Sequence, residues 1–134
     1  MIPDDDSAPP PEARLTRTCH LWVDDLLHAR FLDAADVSAA DARENLAVAQ
    51  GLTGGVARPA VIDLRPIRSQ APEARSLFAG AEASTVANAV ALVVASPLSR
   101  VLGSFYLGFN KPLVPTRLFT SLHEATAWLR SVRT

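Results

Sequence analysis

The chain has 134 residues, 49% of them hydrophobic, a single cysteine and a formal net charge of −1. That is enough apolar material for one buried core without structural metal, and the lone Cys19 excludes a disulfide-stapled scaffold. The opening MIPDDDSAPPPEA lacks the basic and apolar stretches of a signal peptide, and the longest apolar run (residues 89–95) is too short to span a bilayer, so a cytoplasmic protein is expected.

Charge is unevenly spread, −6 over residues 1–44 and +5 over residues 45–134. Residues 1–13, acidic and Pro-rich with little to bury, are expected to be a disordered tail ahead of a single domain over 14–134. RLTRTCHLW (14–22) alternates. Leu15, Arg17, Cys19 and Leu21 fall on one face, and Thr16, Thr18, His20 and Trp22 on the other, the period of a half-buried strand. Asp24-Asp25 marks a turn, and residues 26–32 return as the antiparallel partner.

Ser38, with Asp41 three residues on, opens a helix whose inner stripe is Ala42, Leu46 and Ala49, with Gly51, Gly54 and Gly55 at its end. Those small side chains predict close approach of helix and sheet. PAVIDLR (59–65) reads as a central strand buried on both faces. SQAPEARSLFAG (69–80) reads as a helix with Pro72 in its first turn and Ala74, Leu77, Phe78 and Ala81 inward.

Residues 90–95 are the all-apolar run best suited to the sheet centre. Ser96 caps the next helix, Pro97 takes its first position, and Leu98, Val101, Leu102, Phe105, Tyr106 and Phe109 form its stripe. Pro115 places the strand PTRLFT (115–120) at an edge. Ser121 and Glu124 then box the last helix, with Leu122, Ala125, Leu129 and Val132 inward and Trp128 flanking. The order ββαβαβαβα predicts an α/β domain. Its sheet is mostly parallel, of four or five strands, with an N-terminal antiparallel hairpin and four flanking helices.

ALVVASPLSRVLGSFYLGFNKPLVPTRLFTSLHEATAWL, with RPAVIDLR and EARSLFAG before it, resembles small bacterial STAS/SEC14-type domains of SpoIIAA-like fold. The resemblance covers roughly residues 15–132 and implies a sheet flanked by helices serving as a binding or regulatory module, not a reaction. STAS regulators carry a phosphorylatable serine in a D-S-[ST]-G motif; Ser69 stands at about that place, without the Asp before it or the Gly after it. Lipid-carrying SEC14 proteins are much longer, and this chain has little apolar surface to spare for such a pocket.

Open α/β sheets gather ligands at the C-terminal ends of their strands. Arg65 ends one strand, with Arg68 and Ser69 beyond it; Ser96 ends the next, with Ser99 and Arg100 in the first helical turn. Guanidinium groups with free backbone N–H groups make these six a candidate phosphate- or carboxylate-binding site. The plainer account makes Ser96 a cap and pairs the arginines with Asp63, Glu73 or a partner subunit, since no Gly-rich phosphate loop accompanies them.

His20, His28 and His123 are scattered, none at metal-ligand spacing, and Cys19 and His20 point to opposite sides of a strand, so no catalytic residue or cofactor is assigned. Basic residues are not interleaved with aromatics, which argues against nucleic acid, and the Leu98–Phe109 stripe is more simply core than a membrane-binding face. Tyr106, Leu107, Phe109 and Lys111 form a candidate homodimer interface. The expectation is a non-enzymatic module binding a protein or small ligand. Its alternatives are a regulator switched at Ser69 and an anion-binding strand edge.

Overall fold

The computed structural model describes residues 8–97, 99–101, 104 and 113–132. The proposed interface of Tyr106, Leu107, Phe109 and Lys111 lies outside them, as do residues 1–7 of the tail.

The main sheet has six strands in the order β1 (Arg14–Leu15), β2 (Cys19–Val23), β3 (Leu27–Phe31), β5 (Arg58–Asp63), β7 (Ala87–Val93) and β8 (Thr116–Phe119). The β1–β2 and β2–β3 pairs are antiparallel, and β3–β5, β5–β7 and β7–β8 are parallel. This is the expected α/β architecture, one strand wider than the four or five foreseen. The extra strand arises because residues 14–22 do not run as one. Thr16 N–H donates to the Cys19 carbonyl at 2.8 Å, folding β1 back along β2. The threonines of that turn face inward. Thr16 Oγ1 donates to Asn45 Oδ1, and Asn45 Nδ2 donates to Thr18 Oγ1 at 3.1 Å. Both threonines are buried, so the strict alternation anticipated across them breaks. β8 holds the far edge, behind Pro115; β7, expected at the centre, is one strand in from that edge, and β3 and β5 are the middle pair.

α1 (Ala39–Thr53) begins at a complete capping box: Asp41 N–H donates to Ser38 Oγ, and Ser38 N–H to the Asp41 carboxylate. It ends at Gly54 with φ 64°, a left-handed conformation that glycine adopts without steric cost. The helix expected from Ser69 starts later, as α2 (Pro72–Phe78). Proline disfavours helical geometry in the residue before it, and Ala71 is extended accordingly. Ser69 and Gln70 therefore form β6, paired in parallel with β4 (Asp36–Val37) as a separate two-stranded ribbon. Ser69 is thus a strand residue and not a helix cap. A one-turn helix, α3 (Ala81–Ser84), follows, so Ala81 leaves the inner face assigned to it and is exposed.

The sheet separates two apolar clusters. On one side α1, α2 and α3 cover Leu21, Leu27, Phe31, Ala60 and Leu92; on the other α4 (Leu122–Val132) buries Leu122, Ala125 and Leu129 against Val61, Ala89, Ala91 and Val93. Val132, expected on that inner face, is the last residue of the helix and is 43% exposed. Val101 is 53% exposed, off the stripe predicted for it.

Candidate functional site

The six residues of the predicted anion site all follow the C-terminal ends of β5 and β7, but they stand in separately bonded groups. Arg65 turns back onto Asp63, donating from Nε at 2.9 Å and from its terminal nitrogen at 2.7 Å. Arg68 forms a two-point ion pair with Asp36, and Ser69 Oγ donates to the same carboxylate at 2.6 Å. Those bonds, Arg68 first, hold the Asp36 carboxyl down to about 2.

Ser96 and Ser99 cap each other. Ser99 N–H donates to Ser96 Oγ at 3.0 Å, while Ser99 Oγ accepts from the N–H groups of Ala95 and Ser96 at 2.9 and 3.0 Å. Ser99 is wholly buried, so it faces the backbone and not a ligand. Arg100 is exposed, and among the described residues its side chain carries no ion pair. The arginine–carboxylate pairing anticipated as the plainer account is present for Arg65; Arg68 pairs with Asp36 in place of Glu73.

A second constellation comes from the hairpin. The register sets Trp22 opposite His28 and His20 opposite Arg30, and all four project from the sheet face opposite α1. Trp22 and His28 stack with ring centroids 4.7 Å apart and planes within 6°. The Arg30 guanidinium lies 5.4 Å from the indole centroid, and its Nε is 4.0 Å from the Asp63 carboxylate. His28 Nε2 lies 2.9 Å from Asp24 Oδ1, which also accepts from the Leu26 N–H.

Between this platform and the first turns of α4 runs a groove of about 420 Å3, walled by Trp22, His28, Arg30 and Asp63 and by His123 and Thr126 opposite. α4 covers β5 and β7, and beside the hairpin's own face the groove is also lined by Ala8, Pro10 and Glu12 of the N-terminal segment. The chemistry is that of recognition: a planar aromatic surface, a cation, and polar groups from two elements along one concave wall. Sequence alternation had put His20 and Trp22 on this face. The missing step was the hairpin register, which brings in His28 and Arg30.

Cys19 lies on the opposite side of β2, buried, and burial pushes its thiol well above the ordinary cysteine range. Among the described residues no three His, Cys, Asp or Glu side chains are grouped to hold a metal, and no helix is long and apolar enough to cross a membrane.

A family model matches residues 20–133, from the second residue of β2 to the end of α4 and one residue beyond. The chain belongs to the family described as Domain of unknown function (DUF7793). No curated protein matches it. Among solved structures it is similar to an uncharacterised protein of the DUF3478 family with a SpoIIAA-like fold from Shewanella loihica PV-4. The TM-score is 0.60 and the identity 14%, over 92% of this chain and 99% of that one. The fold of this DUF7793 member is therefore SpoIIAA-like, as the resemblance to STAS/SEC14-type domains implied; at that identity the likeness extends to the fold alone.

Proposed function

We propose that the protein is a non-enzymatic, cytoplasmic binding module that takes a partner protein at the groove between the β2–β3 hairpin and the first turns of α4. The observation that carries this reading is the Trp22–His28 stack, flanked by Arg30, beside a groove of about 420 Å3. Tryptophan and arginine held by intramolecular contacts are the residue types that dominate interface energetics, because they offer area with little ordering cost.

The test is affinity capture from the source organism's extract with the wild type and with a Trp22→Ala/Arg30→Glu double variant whose circular dichroism is unchanged. A partner held by the wild type and lost by the variant supports the proposal. A partner held equally by both, or none held by either, rejects it.

One observation favours a second reading, a switch at Ser69. Its hydroxyl is exposed and already bonded to Asp36, so a phosphate there would set a dianion against a carboxylate and draw Arg68 away from it. Incubation with extract and ATP followed by mass spectrometry tests it; an unmodified Ser69 rejects it. The anion-binding reading keeps its support at Arg100 alone, since Arg65 and Arg68 are committed to carboxylates.

A further inference from the structure

The hairpin groove has a third wall besides the strands and α4. Ala8, Pro10 and Glu12, ahead of β1, line it, and Pro9 and Pro10 are half-buried. The segment enters β1 through a turn in which the Ala13 N–H donates to the Pro10 carbonyl at 3.0 Å. It joins neither apolar cluster, so the core does not hold it in place. It also lies ahead of residues 20–133, which the family model matches, whereas Trp22, His28, Arg30 and His123 lie within them.

Three consecutive prolines set the shape of this segment. Ala8, Pro9 and Pro10 each precede a proline, which holds them extended, and Pro11 opens the turn, where its fixed φ suits the first inner position. A proline-rich chain of this kind docks on an aromatic surface at little entropic cost, because its conformation is set before it binds. The Trp22–His28 stack is such a surface, in the same groove.

With the groove read as the partner site, on which this step rests, we propose that it accepts proline-rich segments. Ala8–Glu12 is its resident in cis, and the partner docks through a proline-rich segment of its own that displaces the resident. A resident seated about nine-tenths of the time weakens the apparent affinity for an incoming segment about tenfold.

The probe is a synthetic peptide of residues 7–13, SAPPPEA, with blocked termini, titrated into the full-length protein. The backbone amide resonances of His28 and Thr126, on two walls of the groove, are followed by NMR. The same titration is made with a Pro9→Gly/Pro10→Gly/Pro11→Gly variant, in which the resident loses its preset shape. Saturable shifts are expected in both proteins, with an affinity about tenfold higher in the glycine variant. None are expected with a control peptide, SAGGGEA, or in the Trp22→Ala/Arg30→Glu protein. Unmoved resonances in the glycine variant would overturn the proposal, as would equal affinity in the two proteins or equal binding of the control peptide. A wild-type dimer in light scattering that the glycine variant loses would make a second copy the occupant, and would overturn it too. Failure here, with a partner still captured through Trp22 and Arg30, leaves the groove as a docking site for a partner of other chemistry; failure of both removes the groove as well.

Discussion

Asp25, in the β2–β3 turn, accepts two hydrogen bonds from Arg130 near the end of α4, at 2.9 and 3.1 Å, across a sequence separation of 105 residues. The pair ties the hairpin turn to the last helix. The Arg130 hydrogen bonds hold the Asp25 carboxyl well below the usual carboxylate range.

Both partners are partly exposed, so the pair is worth under about 1 kcal/mol, and Asp25→Asn lowers stability by no more than that at neutral pH. A depressed folded-state pKa stabilises the fold above the unfolded value of about 3.9 and loses its contribution as pH falls below it. Urea midpoints of wild type and variant should differ at pH 7 and converge towards pH 2.5. A difference that grows on acidification would contradict this account.

Leu129 and Val132 separate two residues that helical spacing had put on one stripe. Leu129 is fully buried against the sheet, and Leu129→Ala should cost about 2–5 kcal/mol through lost transfer energy and the cavity left behind. Val132→Ala, at an exposed helix end, should stay within about 0.5 kcal/mol. Chemical denaturation of the two variants measures both.

The same contrast shows what was legible beforehand. Local signals held. The Ser38–Asp41 box, the Gly54 stop, Pro72 at a first helical turn and Pro115 before an edge strand each act within a few residues, where propensity and sterics decide. The hairpin and the parallel order followed from periodicity. What escaped depends on distant partners. β4 and β6 are two residues each, too short to show a period, and they pair across 33 positions. Thr16 and Thr18 turn inward because Asn45, on another element, satisfies them. The Trp22–His28 stack needed a register that the turn sets and that composition does not reveal.

The β4–β6 ribbon should respond to charge at Ser69. Ser69→Glu sets a carboxylate beside Asp36 and competes for Arg68, whereas Ser69→Ala removes one hydrogen bond only. Hydrogen exchange at the Ala71 amide, which donates to Val37 at 2.8 Å next to the ribbon, should quicken clearly in the first variant and slightly in the second. In the wild type, protection at this amide should decline between about pH 4 and pH 2, because Asp36 is held ionised down to about 2 by Arg68 and Ser69. Equal exchange in all three proteins would show that the ribbon does not depend on the Asp36 cluster.

Cys19 offers a probe of global opening. It is 1% exposed in the α1-side core, its Sγ donates to the His20 carbonyl at 3.4 Å, and burial raises its thiol pKa. A thiol reagent at pH 8 should therefore not modify the native protein, yet should react with one group per chain in denaturant. In mild urea the labelling rate should follow the unfolding equilibrium, since the side chain is packed in the core between the α1 layer and β3. Leu129→Ala lies on the opposite face and touches nothing around Cys19, so it should accelerate labelling only through global stability, by the factor its ΔΔG predicts. Labelling that is fast in the native state, or indifferent to Leu129→Ala, would mean that β2 opens independently of the rest of the sheet.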